Sequence, residues 1–373
     1  MTSNAAGAPI IPAYSGPNVR GIIPALLGPA SWTSGLPSWM PSVVADADSV
    51  VLFVLDGLGW DQLQDHAHLM PTVAAMAGGA IHTVAPTTTA TALTSIATGL
   101  TPAEHGLIGY RIALGGDVVN VLRWSMGDQA VRRSHPPRDV QPFEPFLGQT
   151  VPVVTIAELQ GSGFSEAHLR GSAQVGWRAA SSIAVEAKAQ VEAGERFVYC
   201  YYGGIDKIAH ERGFGPYYDA ELRAADALVA EVLASLPTGT ALLVTADHGQ
   251  VEVGDRILHP SAELLANVNF QSGEGRFRWL HTAKGTIDDV AAIAREEVGE
   301  HAWVVTREQT LDEQWFGPNM APAIRSRIGD VALVASSPVS FHEDADSGPF
   351  QLVCRHGSLT SAEVNVPLVG AAV

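Results

Sequence analysis

Asp206 and His210 stand four residues apart in "YYGGIDKIAHERGFG" (Tyr201–Gly215), where an apolar, aromatic run gives out. On a helix that spacing puts both side chains on one face, so a carboxylate and an imidazole can reach a single cation. One such pair is weak evidence, because roughly one is expected by chance in a chain of this composition. A second carboxylate–imidazole pair, Asp247-His248, closes "TGTALLVTADHGQ" (Thr238–Gln250), Asp56 closes "SVVLFVLDGLG" (Ser49–Gly59), and His356 stands in "CRHGSL". At a strand end the chain leaves the pleat, so Asp247 and His248 need not point to opposite faces. Imidazole and carboxylate without thiolate suit zinc and tolerate manganese or iron. Between Asp56 and the later pairs, "VAPTTTATALTSIATGLTPAEHG" (Val84–Gly106) is a hydroxyl-rich turn leading into a helix.

The elements that carry these residues can be read from the same stretches. Three β-branched, apolar runs, Ser49–Gly59, Arg196–Asp206 and Thr238–Gln250, read as buried parallel strands that each finish near an Asp. Helical patterns lie between them at Ser181–Gly194 and Tyr217–Pro237. The alternation predicts an α/β fold with a mostly parallel central sheet. Ligands of such sheets bind beyond the carboxyl ends of the strands. Three unpaired carboxylates meeting there would repel by about 3 kcal/mol per pair at ~5 Å, so a cation is expected between them.

Composition narrows the partners. The chain has 373 residues, 46% hydrophobic and 16% charged, with a formal net charge of −17. Such a field repels nucleic-acid polymers and anionic membranes. A small phosphate compound is still accessible if bound metal offsets the field locally. Two cysteines, Cys200 and Cys354, give no disulfide framework. The N-terminal residues lack a basic region followed by an apolar one, and the expected compartment is the cytoplasm.

Taken together and in order, "LDGLG", "PTTTATALTSIATGLTPAEHG", "IDKIAHERG", "TADHGQ" and "RHG" resemble the alkaline phosphatase superfamily, and within it the type I phosphodiesterase/nucleotide pyrophosphatase branch. The resemblance runs from about Ser49 to the C-terminus. It implies an alkaline phosphatase-like α/β/α sandwich and two divalent metal ions, usually zinc. One ion would be held by Asp206, His210 and His356, the other by Asp56, Asp247 and His248 with the oxygen of a Thr or Ser nucleophile. The family's nucleophile heads a helix about ten residues before a Thr-Gly pair. Thr98-Gly99 therefore points to Thr89, with Thr87 and Thr88 as its neighbours. The implied activity is hydrolysis of phosphoric diester or pyrophosphate bonds through a phosphothreonine. Departures bear on the substrate: the branch's Asn three residues after the nucleophile is Ala92, its Phe-Pro is Ala90-Thr91, and Ala209 replaces the Gly of D-x-x-G-H. Thr91, Lys207, Tyr110 and Arg111 are the expected phosphate or substrate contacts, with Arg123 also available.

Plainer readings exist for each residue. Asp56 before Gly could be a turn residue, the Thr run helix-capping hydroxyls, and His356 a core imidazole. His105 reads as structural, and His259, His281 and His342 have no partner motif. The function classes are a two-metal diesterase or pyrophosphatase, a phosphomonoesterase or phosphonoacetate hydrolase-like C–P hydrolase, and a non-catalytic metal-binding homologue. The expected organisation is an N-terminal extension over 1–48, a metallohydrolase core over 49–254 and 324–373, and an inserted α+β subdomain over 255–323. Within the core a lid-like segment spans 106–148. Arg327–Ser336 reads as the return to the core. The sequence is silent on oligomeric state.

Overall fold

The computed structural model describes residues 7–29, 32, 35–346 and 351–373. Its strands, in chain order, are β1 (Ser49–Leu55), β2 (Ala77–His82), β3 (Pro152–Ile156), β4 (Ala173–Trp177), β5 (Phe197–Tyr202) and β6 (Thr240–Thr245). They continue with β7 (Val268–Glu274), β8 (Phe277–Thr282), β9 (Ala302–Thr306), β10 (Val331–Ala335) and β11 (Asn365–Ala372). Several two- to four-residue strands complete the set.

The main sheet has the order β2-β11-β6-β1-β5-β3-β4. All seven residues of β1 are buried, as expected for a strand covered on both faces. It pairs in parallel with β6 (Val54 opposite Thr245) and with β5 (Leu55 opposite Tyr202). The three strands thus end at one level, which places Asp56, Asp206 and Asp247 together. Only β11 runs against its neighbours among the described strands of this sheet, between β6 and β2.

Helices cover both faces. On one side α1 (Thr89–Thr98) packs against α2 (Gly163–Leu169). On the other, α5 (Pro216–Ser235) packs against α3 (Ser182–Glu192) and α4 (Gly204–Arg212). Helix α1 is buried along its whole length, yet half its residues are Thr or Ser. Thr94 and Thr98 return their hydroxyls to the carbonyls of Ala90 and Thr94, both at 2.7 Å, which satisfies them without outside partners. Gly99 closes the helix at φ 73°, in the left-handed region where a side chain is strained.

A second, antiparallel sheet has the order β7-β8-β10-β9. Helix α6 (Ile287–Val298) covers it, and the two share their own buried cluster. The strand within Arg327–Ser336 belongs here: β10 pairs with β8 (Phe277 opposite Val334) and with β9 (Ala302 opposite Ala335). It is therefore not the expected return to the main sheet, which β11 makes instead. An apolar run such as "VALVA" satisfies any doubly covered strand, so its composition does not say which sheet takes it. Within 106–148 a hairpin pairs Arg111–Leu114 with Asp117–Asn120. Its Gly115-Gly116 turn has φ 61° and 99°, as a two-residue hairpin loop of this hand requires. The described N-terminal residues pack onto this frame, with Tyr14 donating its hydroxyl to Trp315 O at 2.7 Å.

One buried ion pair joins the two sheets. Arg276, in the β7–β8 turn, donates Nε and Nη2 to the two oxygens of Glu363 at 2.8 and 2.9 Å, and both side chains are fully buried. Its Nη1 serves Ser337 O and Val339 O, while Glu363 also accepts Ser358 N and the Thr360 hydroxyl. Removing one partner would strand the other charge. Glu363→Ala should therefore destabilise the protein by about 3–5 kcal/mol, read as a lower denaturation midpoint in urea.

Candidate metal centre and active site

The site stands on three loops and two helices. Asp56 directly follows β1, Asp247 and His248 follow β6, Asp206 and His210 lie one turn apart on α4, and His356 follows the short strand Cys354–Arg355. Thr89 opens α1, with Thr88 as an extended N-cap. Gly57 turns the chain after Asp56 at φ 78°, where a Cβ would come within 2.5 Å of Gln250 Nε2 and 2.9 Å of Asp206 Cβ. Only glycine fits that corner.

The imidazoles share one wiring. Nδ1 of His210 donates to Cys354 O at 2.7 Å, that of His356 to Thr87 O at 2.8 Å, and that of His248 to Gly249 O at 3.1 Å. A carbonyl only accepts, so each Nδ1 carries a proton, and the Nε2 of a neutral ring presents a lone pair to the centre. Nε2 of His210 and of His356 lie 3.2 Å apart, and His210 Nε2 lies 3.2 Å from Asp206 Oδ1. Lone pairs at that distance repel unless a cation takes them. Burial and the other two imidazoles push His356 far below the usual histidine range, which keeps it neutral.

The second convergence is on His248. Its Nε2 lies 3.1 Å from Thr89 Oγ1 and 3.5 Å from both Asp56 Oδ1 and Asp247 Oδ2. Those two carboxylate oxygens are buried and have no hydrogen-bond partner among the described residues. Their other oxygens are engaged: Tyr201 donates its hydroxyl to Asp56 Oδ2, and the N–H groups of Gly57 and His248 donate to Asp247 Oδ1 at 3.1 and 3.0 Å. Burial, with the charges of Asp247 and Asp206, raises the Asp56 carboxyl well above the ordinary range. Asp247 is raised as well, chiefly by burial, although His248 opposes the rise.

The donor set fits zinc. A tetrahedral ion with bonds of about 2.1 Å holds its ligands roughly 3.4 Å apart. The separations around His248 Nε2 and between His210 and its partners match that spacing. Asp206, His210 and His356 bring ligand atoms within 4.8 Å of one another, and so do Asp56, Asp206 and His248. Asp206 thus belongs to both donor groups, while Asp247, expected as a ligand of the second, lies outside that group with its Oδ2 3.5 Å from His248 Nε2.

The expected substrate contacts fare differently. Arg111 is buried and paired with Glu343 and Asp346, so its charge is spent inside the protein. Thr91 is buried, and its hydroxyl lacks a partner among the described residues. Tyr110 accepts from Asn120 Nδ2 at 2.6 Å, while Lys207 and Arg123 are exposed. His105 is structural, bonded to Ser95 at 2.9 Å.

Three residues escaped the sequence reading. Tyr201 serves Asp56, and Gln250 donates to Asp206 Oδ1 at 2.9 Å. Glu274, at the end of β7, accepts Tyr110 N at 3.0 Å beside Thr88, and burial pushes its carboxyl up to about 8. Tyr201 and Gln250 both stand in quoted motifs, but neither residue type carries a metal-ligand signal.

An α/β/α sandwich with an Asp/His cluster at the carboxyl ends of its central strands, and a threonine heading a buried helix beside it, defines the alkaline phosphatase superfamily. The profile of the type I phosphodiesterase/nucleotide pyrophosphatase family matches residues 50–359. The chain belongs to that family. No curated protein matches it in sequence. Among solved structures, murine ectonucleotide pyrophosphatase/phosphodiesterase 5 is similar at TM-score 0.63 and 13% identity, over 86% of this chain and 87% of the mouse chain. An inactive threonine-to-alanine variant of that mouse protein, in complex with AMP, is similar at TM-score 0.62, 13% identity and 87% coverage of both chains. Phosphonoacetate hydrolase from Sinorhizobium meliloti 1021, in complex with phosphonoacetate, reaches TM-score 0.63 and 18% identity over 87% of this chain and 90% of that one.

Protein purified without chelator and reconstituted with zinc should carry about two equivalents of metal by elemental analysis. His210→Ala should reduce this to about one, because only the Asp206–His356 group loses a donor. A content near zero in the unaltered protein would overturn the assignment.

Proposed function

We propose that this protein hydrolyses phosphoric diester or pyrophosphate bonds of small molecules, with Thr89 as nucleophile and two zinc ions as cofactors. The observation that carries the reading is that His248 Nε2 lies 3.1 Å from Thr89 Oγ1 and 3.5 Å from two buried carboxylate oxygens that have no partner among the described residues. One ion would be held by Asp206, His210 and His356 and the other by Asp56, Asp247, His248 and Thr89. Two such ions neutralise the carboxylates, favour the ionised threonine and stabilise the charge of the leaving oxygen.

The chain's own groups prepare the displacement. The first turn of α1 leaves N–H groups without intrahelical acceptors, and its positive end favours a phosphoryl group. Thr89 Oγ1 attacks phosphorus and loses its proton to solvent. The bond to the leaving alcohol breaks, and that oxygen takes up a proton. Water then attacks the phosphorus of the phosphothreonine, the P–Oγ1 bond breaks, Oγ1 takes up a proton while the water gives one to solvent, and the phosphate product leaves. Tyr201 and Gln250 hold Asp56 and Asp206 in place throughout.

The segment 106–148 acts as a lid in this reading, because Leu122 reaches the cavity beside Thr89. The sheet of β7–β10 with α6 is an insertion into the hydrolase core. Two buried, unpaired thiols fit the cytoplasm. A C–P hydrolase is the competing reading, since the phosphonoacetate hydrolase is as similar in fold as the mouse protein. Turnover of bis-p-nitrophenyl phosphate, p-nitrophenyl phosphate and phosphonoacetate, each with added zinc, separates diesterase, monoesterase and C–P activity. A diester rate above the other two is expected.

Thr89→Ala should retain both metals and lose roughly 10²-fold or more in kcat, while Thr89→Ser keeps measurable activity and Thr88→Ala costs far less. Two successive displacements predict net retention at phosphorus, which a chiral phosphorothioate substrate reads out. Inversion would exclude the phosphothreonine.

A further inference from the structure

A cavity of about 210 Å³ opens beside the centre, with Asp56, Thr89 and Asp206 at one end. Thr89 and Leu93 lie one turn apart on α1 and form one wall, and Phe164 and Leu169 of α2 form the facing one. Tyr199, two residues before Tyr201 on β5, shares its face of the strand and lines the floor. Leu122 stands at the rim, half-buried.

The lining contains no lysine and no arginine among the described residues. Besides the Tyr199 and Tyr201 hydroxyls, which burial keeps protonated, its titratable side chain away from the Asp/His cluster is His168, whose Nδ1 donates to Phe164 O at 2.7 Å. Burial lowers His168 to about 4, so it carries no charge at neutral pH. Ser165 donates its hydroxyl to Leu159 O at 2.7 Å, and Ser162 Oγ accepts Ser165 N at 3.1 Å, so both hydroxyls are engaged locally. The Tyr199 hydroxyl is buried with no partner among the described residues, and it offers one neutral hydrogen bond. Walls of this kind stabilise apolar surface and give a buried charge nothing to pair with. For scale, an apolar cavity of about 150 Å³ admits benzene.

We infer that this cavity receives an uncharged, mainly apolar substituent on phosphorus, about one aromatic ring in size, and excludes carboxylates and further phosphates. The inference rests on Asp56, Thr89 and Asp206 being the reaction centre. It narrows the proposed reaction to diesters of neutral apolar alcohols or phenols and sets aside its pyrophosphate half along with phosphonocarboxylates.

Calorimetric titration of the zinc-loaded chain with phenylphosphonate, methylphosphonate and 3-phosphonopropionate tests this without turnover. Phenylphosphonate should bind at least tenfold more tightly than methylphosphonate, and 3-phosphonopropionate no more tightly than methylphosphonate. Leu122→Arg, at the partly exposed rim, should erase the phenyl preference and strengthen binding of the carboxylate about tenfold, with metal content unchanged. Equal affinities for the phenyl and methyl compounds, a carboxylate preference in the unaltered chain, or unchanged ratios in Leu122→Arg would each overturn the assignment. Hydrolysis of methyl p-nitrophenyl phosphate reads the reaction separately. Turnover with equal phosphonate affinities removes the cavity assignment alone. A phenyl preference without turnover removes the hydrolase reading and leaves the cavity standing.

Discussion

Three carboxylates share a volume that water hardly reaches, and their mutual repulsion is the constraint around which the molecule is organised. Burial and like charge raise Asp56 far above an ordinary carboxyl. The sheet creates the problem by ending three adjacent parallel strands at one level. The surroundings remove the cheap ways out. Backbone carbonyls take the Nδ1 proton of each imidazole, so a neutral ring turns its Nε2 lone pair toward the carboxylates. What remains is a donor set whose favourable state includes divalent cations.

Much of this was legible in the chain. Asp56, Asp206 and Asp247 stand at the ends of apolar runs, and such runs in an α/β pattern end on the ligand side of a sheet. The spacing of Asp206 and His210 speaks for one helical face, and the distance to Thr98-Gly99 singles out Thr89. Other parts depend on partners far away in the chain. Arg111 is an available cation in the sequence, and only the fold brings Glu343 and Asp346 against it. Glu274 reaches Thr88, the N-cap of α1, from another sheet. The strand at 331–335 is apolar on both faces in either sheet, so local composition could not assign it. Tyr201 and Gln250 sit in plain view, but neither residue type announces that it will hold a carboxylate.

The two sheets are coupled through the loop that carries His356. Glu363 ties Arg276 of the second sheet to Ser358, two residues past the imidazole. Thr87, two residues before Thr89, accepts His356 Nδ1 and donates to Ser358 O. Thr89, His356 and the antiparallel sheet therefore form one mechanical unit. Precision in the metal centre depends on side chains well outside it.

The position of β11 has a consequence for how the molecule is made. Strand β2 finds its partner in the main sheet only in β11, and β11 also closes the open side of β6. His356 comes from the stretch translated just before that strand. A ribosome that has extended the chain just past β6, through His248, has already delivered Asp56, Thr89, Asp206, His210 and Asp247 as well, but two strand edges still await a partner. Until Ala372 emerges, the half-built sheet exposes those edges together with an incomplete charge cluster. Such late, long-range pairing is slow and open to association with other chains. The same strand that completes the sheet thus ends the interval in which the nascent chain most needs protection.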